Sequence, residues 1–170
     1  YRIAKAKYHP KAGKVKISGD EGRKEMNFTL KPNYGNVSVN SQPESGVEIF
    51  IDGESTGEKT PATFRKLESG KHTVTLKSKW YQPKTKEITV SDEQTTNLQM
   101  NLTPVYGKVY IKTDPASDIY IDGEKVGYGK YEGKVVDGIH SFSAQKEKYK
   151  TDKTEKEIIA NKNANISLSP

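Results

Sequence analysis

The chain has 170 residues, 29% of them charged and 32% hydrophobic, with a net charge of +6 and no cysteine. Disulfides and thiolate metal sites are therefore excluded, and no apolar run is long enough to span a bilayer as a helix. The apolar residues alternate regularly, which argues against disorder and for thin, half-buried sheets.

Residues 1–34 hold the whole basic excess, nine Lys and Arg against three Asp and Glu, while residues 35–104 and 105–170 carry only −1 and +1. This first segment reads as three strands, Tyr1 to Tyr8, Gly13 to Ser18 and Arg23 to Leu30, with alternation in Tyr1/Ile3, Val15/Ile17 and Met26/Phe28/Leu30. Tyr8-x-Pro10 recurs as Tyr81-x-Pro83 and Leu30-x-Pro32 as Leu102-x-Pro104. The segment is thus expected to be the second half of a repeat. Its exposed apolar row and open sheet edge would attract the next repeat or a second copy of the chain.

Residues 35–104 read as a complete repeat. Strands are expected at Asn36–Asn40, with Val37 and Val39 inward, and at Val47–Ile51. Asp52-Gly53 is a tight-turn signal, because Gly accepts positive φ and Asp tolerates it. If the turn is its only role, Asp52→Asn is expected to be nearly silent. Ala62–Leu67, His72–Lys79, Lys84–Val90 and Thr95–Thr103 complete the set. Residues 105–170 repeat the plan: Tyr106-Gly107 matches Tyr34-Gly35, Asp122-Gly123 matches Asp52-Gly53, and Gly138-x-His140 matches Gly70-x-His72. Thr60-Pro61 becomes Lys130-Tyr131, so that turn is expected to be built differently. Short strands at turn-bounded intervals, with no helical periodicity, indicate an all-β fold of tandem antiparallel β-sandwiches, about seven strands each. The short linkers at Pro32–Tyr34 and Pro104–Tyr106 favour a semi-rigid succession of domains.

These residues resemble the PEGA domain family. The shared pattern is Pro43/Gly46, Ile51-Asp52-Gly53, Gly57/Thr60-Pro61, Gly70-x-His72-x-Val74 and Tyr81, repeated as Pro115, Ile121-Asp122-Gly123, Gly127, Gly138-x-His140 and Tyr149. Trp80 and Lys148 stand where the family commonly has Gly before Tyr. The resemblance implies a small sandwich module, Ig-like or prealbumin-like, of bacterial exported or cell-envelope proteins, without common catalytic residues. An extracytoplasmic location follows from that resemblance, as does a non-catalytic spacer or protein-interaction role toward a protein or envelope component.

No constellation of residues points to catalysis, a cofactor or a metal. His72 and His140 lack partners at ligand spacing, and Asp52-Gly53 and Asp122-Gly123 lack the run of acidic residues of a calcium loop. Gly127-Tyr128-Gly129 sits in a β connection, without the elements of a phosphate cradle. The scattered basic residues Lys5, Lys7, Lys11, Lys14, Lys16, Arg23 and Lys24 read as a solvated face, and no nucleic-acid partner is expected. Aromatic residues carry the one ligand expectation. Trp80 and Tyr81 at a strand end are able to stack on a sugar, which makes a carbohydrate-binding module the alternative reading, favoured by a concave setting for Trp80. Phe50, Tyr110 and Tyr120 lie out of phase with the core rows and are expected to face a partner or another repeat.

Overall fold

The computed structural model describes residues 1–17, 19 and 23–170. Among them all regular structure is β, in two compact units: Tyr1–Lys77 with Pro83–Asn101, and Ser78–Gln82 with Leu102–Pro170.

The first unit begins with two short paired strands, β1 (Arg2–Ile3) and β2 (Lys11–Ala12). The strand expected over Gly13–Ser18 and that over Arg23–Leu30 are not formed among the described residues, and Ser18 lies outside them. In the complete repeat the equivalent strands pair with neighbours that residues 1–34 do not contain, and a strand without a ladder leaves its backbone groups to water. Val15 (39% exposed), Ile17 (64%) and Met26 (39%) accordingly stand open.

Seven strands follow: β3 (Tyr34–Gln42), β4 (Glu48–Ile51), β5 (Glu54–Lys59), β6 (Ala62–Glu68), β7 (Gly70–Ser78), β8 (Tyr81–Val90) and β9 (Thr95–Asn101). They form sheets of order β6-β3-β9 and β5-β4-β7-β8. Alternation puts Val37 and Val39, Ile49, Val74 and Leu76, Ile88 and Val90, and Leu98 and Met100 in the core. β3 and β9 run parallel, Val37 opposite Thr96 and Val39 opposite Leu98. The alternation that marks a strand is the same for either direction. β5, which the sequence reads as mere connection, is a mostly exposed edge strand. Its Glu and Lys residues discourage further pairing.

The second unit repeats the order with β10 (Tyr106–Lys112), β11 (Asp118–Ile121), β12 (Glu124–Tyr128), β13 (Lys130–Val136), β14 (Gly138–Gln145), β15 (Asp152–Ile158) and β16 (Asn163–Ser167). Here the sheet is continuous, β15-β14-β11-β12-β13-β10-β16, because β12 and β13 pair through Tyr128 and Lys130. Val109, Ile111, Ile119, Phe142, Ala144, Ile158 and Ile166 centre the core.

The altered turn has a definite cause. In the first repeat the buried Thr60 joins Ser41 (2.6 Å) and the amide of Val47 (3.2 Å). In the second, Gly129 (φ 67°) donates its N–H to Ser117 O (2.8 Å) and accepts from Thr113 N (3.0 Å). The core ring also moves. Val37 and Val39 oppose Phe64 and Ala62, whereas Val109 and Ile111 oppose Gly133 and Tyr131. The Tyr131 ring lies where a side chain on Gly133 would stand. One aromatic ring fills this part of each core, two residues apart in the strand.

Candidate functional site

The two Asp-Gly turns are built alike. Asp52 (φ 52°) and Gly53 (φ 86°), and Asp122 (φ 51°) and Gly123 (φ 84°), take the paired positive φ of a tight hairpin turn. Each Asp then reaches across to the strand behind the turn. Asp52 Oδ1 accepts from the amide of Thr73 at 2.8 Å, and Oδ2 accepts from Nδ1 of His72 at 2.6 Å. His72 Nε2 donates to the carbonyl oxygen of Glu68 at 2.8 Å. In the second copy Asp122 bonds the amide of Ser141 (2.9 Å) and His140 Nδ1 (2.6 Å), while His140 Nε2 reaches Val136 O at 2.9 Å. A carboxylate and a carbonyl oxygen both only accept, so His72, whose pKa is raised, meets them with two N–H groups.

The Thr73 amide and then His72 hold the Asp52 carboxyl below its usual range. Asp122 is lowered by His140 first and the Ser141 amide next. Burial pulls the His72 pKa down, but the Asp52 carboxylate and Glu68 carbonyl outweigh it and leave it above the ordinary value. The turns are therefore latched by His–Asp pairs, and the expectation that Asp52→Asn is nearly silent is corrected. An amide removes the charge and one of the acceptors the latch uses. Among the described residues no group of three His, Cys, Asp or Glu is placed to hold a metal.

The Trp80–Tyr81 expectation divides. Tyr81 is buried (2% exposed), its ring edge-on to Tyr106 at 5.9 Å, and offers no surface to a ligand. Trp80 does lie in a concavity, a shallow cleft of about 320 Å³ shared with Lys79, Asp122, Tyr131, Lys134 and His140. Its ring already meets the ammonium groups of Lys79 (4.4 Å) and Lys134 (5.9 Å) and the edge of Tyr106 (5.8 Å). Sugar stacking there would have to displace these cations.

Tyr81 belongs to a linker device that occurs twice. Tyr81 bridges Pro104, Gln82 N donates to Thr103 O, and Val105 N donates to Trp80 O, both at 2.9 Å. Tyr8 bridges Pro32, His9 N donates to Lys31 O, and Asn33 N donates to Lys7 O, again both at 2.9 Å. Tyr8 also meets Tyr34 edge-on at 6.0 Å, as Tyr81 meets Tyr106. Lys66 and Lys134 lie over Tyr34 and Tyr106 at 5.6 and 4.4 Å. Within the first unit the segment is further tied by Lys7 Nζ to Lys66 O (2.9 Å) and by His9 to Asp92 (2.8 Å).

Phe50 in the first unit and Tyr110 and Tyr120 in the second are all half-buried. Phe50 lies under the Lys77 ammonium at 4.2 Å, and Tyr120 opposes Ser143 and Lys125. Tyr110 instead lines a cleft of about 700 Å³ with Lys112, Pro115, Tyr128, Lys130 and Glu132. Sequence reasoning did not single out Tyr128. The available signal was that Tyr110, Tyr128 and Tyr131 align with Ser38, Glu58 and Pro61 of the first repeat.

Residues 34–105 match the family model of the PEGA domain. In structure the chain is similar to the Bacillus anthracis TIE protein, at 15% identity and a TM-score of 0.35, over 82% of this chain and 34% of that one. It is also similar to a DUF3823 family protein from Bacteroides ovatus, at 11% identity and a TM-score of 0.30, over 77% of this chain and 98% of that one. The chain spans about a third of the length of the TIE protein. No curated protein matches the sequence.

Proposed function

We propose that this chain, whose residues 34–105 form a PEGA domain, is a non-catalytic modular spacer and protein-interaction segment of an exported or cell-envelope bacterial protein. The observation that supports it is the linker device. The same bridge, the same two 2.9 Å hydrogen bonds and the same edge-on tyrosine pair occur around Pro32–Tyr34 and around Pro104–Tyr106. A chain that hydrogen-bonds its short connecting segments as specifically as its strands is suited to carrying modules in sequence. The latched turns fit the same role, since they spend the chain's titratable constellations on rigidity.

The test is protease shaving of intact bacteria producing the parent protein with an epitope tag in the exposed β5 strand. Loss of the tag from intact cells supports an envelope module facing outward. Protection in intact cells and in cells with permeabilised outer layers, with loss only on lysis, overturns the location and with it the spacer role.

A further inference from the structure

On the outer face of β13-β10-β16 the paired residues form three rungs: Lys108 with Lys134 and Asn163, Tyr110 with Glu132 and Asn165, and Lys112 with Lys130 and Ser167. Directly paired residues share a face, so four lysines and one glutamate surround Tyr110. In the first repeat Asn36 pairs with Thr95 and lies against the bulge that holds Arg65 and Lys66, with Lys66 over Tyr34 as Lys134 is over Tyr106. Ser38 pairs there with Thr63 and Asn97, and Asn40 with Gln99, all uncharged and none aromatic. Two copies of one strand order thus differ on this face at the positions of Lys108, Tyr110 and Lys112. Lys108, Tyr110 and Lys112 are not needed to make the sheet, because the first repeat makes it with Asn36, Ser38 and Asn40 in their places.

Four further features give this face the form of a site. The Tyr110 end opens into the 700 Å³ cleft, whose rim includes Tyr128, Lys112 and Lys130. Tyr128 is 60% exposed, a large apolar surface left to solvent. Lys108, Lys112 and Lys130 make no ion pair among the described residues. Finally, four residues separate Lys108 from Lys112, which spaces the cationic rungs about 13 Å apart along the strand with the tyrosine midway.

We propose that this face binds a linear acidic polysaccharide, with carboxylates of the polymer at the two lysine rungs and a sugar ring on Tyr110 and Tyr128. Glu132 decides against a nucleic acid. A deoxyribose-phosphate strand carries a phosphate every ~3.4 Å and has no free hydroxyl between them to donate to that carboxylate, whereas each sugar of an acidic polysaccharide presents hydroxyls that the carboxylate accepts. The tyrosines decide against a purely ionic partner, since a ring face gains from stacking on the apolar face of a sugar and nothing from a small anion. This inference deepens the envelope reading and rests on it for the class of polymer within reach; the face itself stands without it.

The experiment is affinity electrophoresis of the full chain through gels containing polygalacturonate, dextran or single-stranded oligothymidylate, at 0.15 M salt. Retardation by polygalacturonate alone is expected. The variant K108N/Y110S/K112N installs the residues that the first repeat holds at the same positions, so its fold is supported by the chain's own precedent, and circular dichroism verifies it. Its affinity for polygalacturonate is expected to fall about tenfold or more, as for the loss of two rim charges and one stacking contact. Y110S alone is expected to weaken binding at unchanged net charge. No retardation, equal retardation by oligothymidylate, or a Y110S variant that binds as the parent chain does would each overturn the proposal. None of these results bears on cell shaving, so the two readings fail separately.

Discussion

His72 and Asp52 meet at 2.6 Å, Nδ1 to Oδ2, across the mouth of the β4–β5 turn, and each keeps the other charged. The stability this lends has two edges. His72 is raised in the folded chain, so its contribution is complete below the unfolded histidine pKa of about 6.5 and is lost as pH rises through the folded value. Asp52 is lowered, so its contribution is present above the unfolded value of about 3.9 and is lost as pH falls through the folded one. Thermal midpoints are therefore expected to be highest near pH 5 to 6 and to decline toward pH 8.5. H72Q is expected to flatten that decline. An unchanged slope in the variant would show that the latch does not titrate with folding.

Lys148 has φ 67° and Lys7 has φ 63°, in the left-handed region that costs an L side chain about 1 kcal/mol. Lys148 stands where the family resemblance places Gly, and Lys7 precedes Tyr8 as Lys148 precedes Tyr149. Lys148→Gly is expected to raise stability by about 0.5–1 kcal/mol in urea denaturation, net of the entropy that Gly adds to the unfolded chain. A loss of stability would mean that the Lys148 side chain makes a compensating contact.

Ser117 is fully buried and its hydroxyl has no hydrogen-bond partner among the described residues. Dehydrating an unpaired hydroxyl costs on the order of 1–3 kcal/mol. Ser117→Ala keeps nearly the same volume and is expected to stabilise the second unit by about 1 kcal/mol. Destabilisation in the same measurement would point to a buried water held by that hydroxyl.

Residues 1–34 expose Val15, Ile17 and Met26, although the segment is tied at Lys7 and His9. Self-association through this row is expected, with a symmetric dimer as its simplest form. Sedimentation equilibrium should show a concentration-dependent dimer that Ile17→Glu or removal of residues 1–34 abolishes. Monomers at high concentration for all three would end the idea.

Period-two alternation was enough to place the inward rows Val37/Val39, Val74/Leu76 and Leu98/Met100, because a strand has only two faces and burial selects one. Internal repetition likewise exposed the turn signals at Asp52-Gly53 and Asp122-Gly123. Three things were decided only in three dimensions. The direction of β3 against β9 depends on how the chain returns across the sheet, and alternation is blind to it. The His–Asp latch joins residues 18 or 20 positions apart that meet because β7 and β14 run back beside the turns; local spacing assigns those histidines no partner. The cluster of Tyr110 with Tyr128, Lys130 and Glu132 arises from strand register and from the β12–β13 pairing. A one-residue slip would send Tyr110 to the opposite face. The alternation of side chains along a strand is thus legible in the sequence, whereas the neighbours each one meets are set by the fold.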